Sequence, residues 1–80
     1  MTTDDALLLA KTRLMVREGR AQSVRQAAGL SQGEIGQVVG VTAAAVSRWE
    51  RGNRLPRSEA GLRYARLLDS LAKMGAGAAP

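Results

Sequence analysis

The chain has no cysteine and no histidine, and Trp49 and Tyr64 are its only aromatic residues. The absence of cysteine excludes disulfide staples. Without histidine as well, zinc-finger ligand sets, thiol nucleophiles and imidazole acid–base chemistry are all excluded. The few carboxylates have capping or pairing roles, and no glycine loop shaped to cradle phosphates is present. No enzymatic activity, metal or cofactor is therefore expected. No apolar run approaches the ~18 residues that a membrane helix needs. Asp4 and Asp5 have the wrong sign for a secretory leader, so a cytoplasmic protein without membrane contact is expected. β-Branched runs are also missing, which points away from strands and toward helices.

What is present is positive charge, unevenly placed. Twelve Lys plus Arg oppose seven Asp plus Glu, for a net charge of +5, in 80 residues that make one small domain. Between Arg48 and Arg57 stand four arginines, Arg48, Arg51, Arg54 and Arg57, with Glu50 the single acid. Such local concentration, more than the total, is the mark of a nucleic-acid partner.

Local signals divide the chain into short helices. Thr3, followed by Asp4 and Asp5, reads as a helix start with acids at the positive end of the dipole. Ala6 to Glu18 is expected to be helical, with Leu7, Ala10, Leu14 and Met15 on its core face. Gly19 either ends or kinks this helix, and Ala21, Val24 and Ala28 continue the stripe. Gly29 suits a left-handed cap. Ser31 with Glu34 forms a capping box for a helix running to about Val39, where Gly40 stops it. Thr42 caps the next helix, Ala43 to about Arg51. After a loop containing Pro56, Ser58 and Glu59 open a last amphipathic helix with Leu62, Ala65, Leu68 and Leu71 on one face. Its leucines suit either a core or a dimer surface. Residues 1–19 are thus read as an N-terminal helical extension, 20–74 as the main domain and 75–80 as a disordered tail.

Within the main domain, residues 29–52 have the economy of a helix-turn-helix. Gly36 sits inside a helix, where glycine costs roughly 1 kcal/mol against alanine. That cost is reasonable where another backbone crosses closely. Ile35, Val39, Val41, Val46 and Trp49 occupy the positions where the two helices face each other and the helices behind them. The second helix is then free to dock into a DNA groove. Arg51, Asn53, Arg54 and Arg57, at its end and in the loop beyond, suit a clamp on backbone phosphates.

The segment AGLSQGEIGQVVGVTAAAVSRWERGNRLPR resembles the Cro/repressor-type (Xre-like, lambda-repressor-like) helix-turn-helix domains, which share GLSQ, a glycine turn, V-S-R-W-E-R-G and a basic loop with proline. The resemblance spans about Arg20 to Leu71. It implies an all-α bundle of about five helices, generally acting as a dimer on a two-fold-related operator in double-stranded DNA. It also implies base-reading positions at Thr42, Ala43, Ala44, Ser47 and Arg48, a backbone contact from Gln32, and a structural ion pair between Arg25 and Glu50. Many relatives carry Gln or Asn where this chain has Ala43 and Ala44. Hydrogen-bonded readout is therefore expected to fall mainly on Arg48, which matches the guanine edge.

Two functional readings stay open at this point. One is a transcription regulator of the repressor type, phage or bacterial. The other is an antitoxin that binds a toxin or another regulator as its protein partner and represses its own operon, with Leu7, Leu8 and Leu14 as a candidate partner surface.

Overall fold

A computed structural model describes residues 1–75, and among these it shows five helices and no strand: α1 (Thr3–Arg17), α2 (Arg20–Ala27), α3 (Gln32–Val39), α4 (Ala43–Glu50) and α5 (Ser58–Lys73). The fold is the expected all-α helix-turn-helix bundle. The expected tail, 75–80, lies outside the described residues except for Gly75, which ends α5 with φ +95°.

Capping sets most boundaries. Thr2, one residue earlier than expected, caps α1: its hydroxyl accepts from the Asp5 N–H, and the Asp5 carboxylate accepts from the Thr2 N–H. Two adjacent threonines offer the same cap, and the acid at the third helical position selects between them. Gly19 ends α1 outright with φ +73°, so α1 and α2 are separate helices and not one bent one. Ala28 and Gly29 close α2, with the Leu30 N–H donating back to the Arg25 carbonyl. Ser31 and Glu34 form the reciprocal capping box of α3. Thr42 caps α4 by accepting from the Ala45 N–H.

Met15 and Val16 of α1, Ala21 and Val24 of α2, Ile35 and Val39 of α3, Val46 and Trp49 of α4, and Tyr64, Leu68 and Leu71 of α5 form one core. The N-terminal segment is thus packed into the bundle, but not by the expected face. Leu9, Thr12, Met15 and Val16 are buried, while Leu7 and Leu14 are 64% and 55% exposed. The runs Leu7–Leu9 and Leu14–Val16 each offer three possible phases to a helical stripe. The phase that packs here places Thr12 inward, and an apolar count does not reward it. On α5, Leu68 and Leu71 close the core, and Leu67 is half-buried against it.

Gly36 permits the tight angle between α3 and α4. A Cβ at this position would lie 2.5 Å from the Val41 carbonyl oxygen and 3.3 Å from the Thr42 carbonyl carbon. What crosses Gly36 is therefore the turn and the start of α4. The Gly40 and Val41 N–H groups both donate to the Gly36 carbonyl, at 2.7 and 2.9 Å. Arg63 of α5 adds a brace by donating from Nε to the Val39 carbonyl at 2.8 Å.

Candidate nucleic-acid interface

The amphipathic pattern of α4 divides its side chains between core and solvent. Val46, Trp49 and Glu50 are buried, whereas Thr42, Ala43, Ala44 and Arg48 are exposed and Ser47 is half-buried. Trp49 stacks at a tilt on Tyr64, with ring centroids 4.6 Å apart, which ties the helix to α5. The N-terminal face of α4 therefore stands out from the bundle with its inner face locked.

Beyond α4 the chain curls back, and the Asn53 N–H donates to the Arg48 carbonyl at 3.0 Å. Pro56 is buried against Gly61, and Arg51, Asn53, Arg54 and Arg57 remain exposed. The rest of the arginines explain why this cluster matters. Arg13, Arg25, Arg63 and Arg66 are engaged with Pro56, Glu50, Val39 and Asp5 respectively, and Arg20 lies 3.7 Å from Glu18. Among the described residues, the five arginines whose side chains have no protein partner are Arg17, Arg48, Arg51, Arg54 and Arg57. Four of these five lie within ten residues, from the last turn of α4 to the residue before α5.

Glu50 does not oppose that charge. It is 2% exposed at its side chain, and Arg25 grips it through Nε to Oε2 and through a second nitrogen to Oε1 at 3.1 Å. This doubled hydrogen bonding raises the Arg25 pKa above its ordinary value, against the opposing effect of burial. Arg25 also donates to the Leu30 carbonyl at 2.9 Å, so a single side chain ties α2, the start of α3 and the end of α4. Removing one member of such a pair leaves the other buried and unpaired, a loss of about 3–5 kcal/mol.

Gln32 differs from the exposed side chain expected at the start of α3. It is half-buried, and its amide nitrogen donates to Glu50 Oε1 at 3.0 Å. One amide hydrogen is thus committed to the Arg25–Glu50 pair, and the other is left for an external acceptor. Sequence reasoning also missed Arg13. Its Nε donates to the Pro56 carbonyl at 2.9 Å, and it joins Asn53, Arg54, Leu55 and Arg57 around an open concavity of about 500 Å³. Its partner lies 43 residues away, so no local pattern could have pointed to it.

Among the described residues there is no cluster of three or more potential metal ligands, and no helix is long and apolar enough to cross a membrane. A family model described as helix-turn-helix matches residues 22–72, which include α3, α4, most of α2 and all but the last residue of α5. The chain belongs to this Xre/lambda-repressor-like helix-turn-helix family, and it is a DNA-binding transcription regulator. No curated protein and no solved structure matches it.

Proposed function

We propose that the protein is a repressor that occupies an operator in double-stranded DNA, inside the cell, by laying the N-terminal face of α4 in the major groove. Arg48 supplies the bidentate contact to guanine, and Thr42 and Ser47 add hydrogen bonds beside it. Ala43 and Ala44 offer only methyl groups, so one copy discriminates modestly and DNA shape or a second copy supplies the remainder. Arg51, Asn53, Arg54 and Arg57 hold backbone phosphates, with Arg13 at the rim of the same concavity and the second amide hydrogen of Gln32 at the start of α3.

The observation that carries this reading is the concentration of unpaired arginines in the last turn of α4 and in the loop that follows it. Selection of bound duplexes from a random pool tests it. The expected result is an enriched site containing a G whose preference falls by about 1–3 kcal/mol when Arg48 is replaced by alanine. A pool that shows no enrichment at low salt would refute the proposal. An enriched site whose preferences survive Arg48→Ala would remove that residue from the reading set.

A further inference from the structure

Arg13, Asn53, Arg54, Leu55 and Arg57 surround an open concavity of about 500 Å³, so three of the five side chains around it are guanidinium groups. The acids closest in sequence do not line it. Glu18 lies 3.7 Å from Arg20, Glu50 is buried against Arg25, and Glu59, two residues after Arg57, stands outside the lining. Arg54 and Arg57 are exposed and without a protein partner. Arg13 is the fixed member. Its Nε is spent on the Pro56 carbonyl at 2.9 Å, and its two terminal nitrogens have no protein partner among the described residues. A guanidinium held by one edge keeps its other edge ready for a phosphate, with little further loss of side-chain freedom.

A DNA backbone would use only part of this site. Each strand brings one negative charge per ~3.4 Å of rise, whereas the concavity has the volume of a small-molecule site, ~300–1,000 Å³. A run of condensed phosphates brings several charges together and ends in a group that carries about −1.5 to −2 at neutral pH. We propose that the concavity binds a short condensed polyphosphate, inorganic or the tail of a nucleoside triphosphate, and that its occupation excludes DNA from Arg54 and Arg57. The exclusion rests on the operator reading given above; the binding site does not. Phosphate oxygens accept from the terminal nitrogens of Arg13 and from Arg54 and Arg57, and the Asn53 amide donates beside them. Half-buried Leu55 is the wall on which a nucleoside would lie. Arg13 precedes residues 22–72, the span that the family model matches, so the site depends on this chain's own N-terminal helix. The regulator then releases its target when such a ligand accumulates.

Calorimetric titration without DNA or magnesium tests the site first, at about 0.15 M salt, where exposed charges more than ~8 Å apart are largely screened. Tripolyphosphate and ATP should each bind at a single site, AMP about tenfold or more weakly, and adenosine not at all. Arg13→Ala should weaken tripolyphosphate binding by more than about tenfold. So should Arg54→Ala, whose exposed side chain holds nothing in the fold. Lys73→Ala removes the same charge in the last turn of α5, at the opposite end of that helix from Arg57. It should change the affinity by less than about twofold. Equal affinities for the two ligands assign the site to the phosphate chain alone, and tighter binding of ATP assigns it to a nucleotide lying on Leu55. Absence of binding, or binding weakened as much by Lys73→Ala as by Arg13→Ala and Arg54→Ala, overturns the site. A second titration adds a duplex taken from the operator selection. Tripolyphosphate should raise the apparent Kd for DNA in proportion to its concentration, and far less in Arg13→Ala. A duplex that stays bound at saturating tripolyphosphate overturns the exclusion. A protein that binds tripolyphosphate but no duplex supports the site and counts against the operator reading alone.

Discussion

The Tyr64 hydroxyl is fully enclosed between α4 and α5, yet it finds no hydrogen-bond partner among the described residues. Its ring is what the fold uses, stacked on Trp49, while the oxygen lies near Glu50 without bonding to it. Burial pushes the phenol pKa well above its ordinary 10.0, and the neighbouring carboxylate raises it further. A buried polar atom without a partner is a net cost, of about 1–3 kcal/mol. Tyr64→Phe is accordingly expected to leave stability unchanged or raise it by up to about that amount. Chemical denaturation of the two proteins measures this directly, and a clear loss on removing the oxygen would show that it is satisfied in a way the structure does not display.

At the level of elements, the distribution of arginine separates bracing from binding. Arg25, Arg63 and Arg13 close carbonyls and a carboxylate at the ends of helices and loops, whereas the segment after α4 leaves its guanidinium groups unspent. In the proposed complex each phosphate contact contributes about 0.9 to the slope of log affinity against log salt. Replacing Arg54 by alanine should therefore flatten that slope by about 0.9, and Arg13→Ala should do the same if its remaining nitrogens reach the backbone. Slopes identical to that of the unmodified protein would show these side chains to be solvated bystanders.

The same scale shows what was readable in advance. The capping box at Ser31 and Glu34, the Thr42 cap and the glycine ends of α2 and α3 are local chemistry, complete within a few residues, and each lies where its sequence places it. The phase of α1 was not readable, because two apolar triplets permit several stripes and the packing chose the one with Thr12 inside. Of the candidate site, the exposed positions on α4 and the basic loop follow from their order in the chain. The commitment of the Gln32 amide to Glu50 and the arrival of Arg13 at the loop depend on contacts between segments distant in sequence.

For the molecule as a whole, size limits what one copy can do. Its longest extent is 33 Å, close to the ~34 Å of one duplex turn. A single copy thus spans one half-site at most, and a two-fold operator requires a second. Its response to pH should have two limbs with a plateau around neutrality, since no histidine is present. Asp5, Glu34 and Asp69 are held below their ordinary values of 3.8, 4.5 and 3.8, chiefly by the Thr2 N–H, the Ser31 N–H and the Lys73 ammonium respectively. A depressed carboxylate stabilises the fold above its unfolded pKa and ceases to as pH falls through the lower folded one. Melting temperatures should therefore fall below about pH 4.5. For Tyr64 the sign is opposite: its contribution is complete below 10.0 and disappears as pH rises toward the folded value. Melting followed across both limbs checks this, and a transition centred at neutrality would contradict it.

The bare methyl surface at Ala43 and Ala44 has a consequence for epigenetic marking. In the proposed docking these side chains register thymine only through its 5-methyl group, which 5-methylcytosine also carries at the same place in the groove. Uracil in place of a contacted thymine should weaken binding although every Watson–Crick pair is kept. A methylated cytosine there should partly pass for thymine, leaving this regulator sensitive to methylation of its own target.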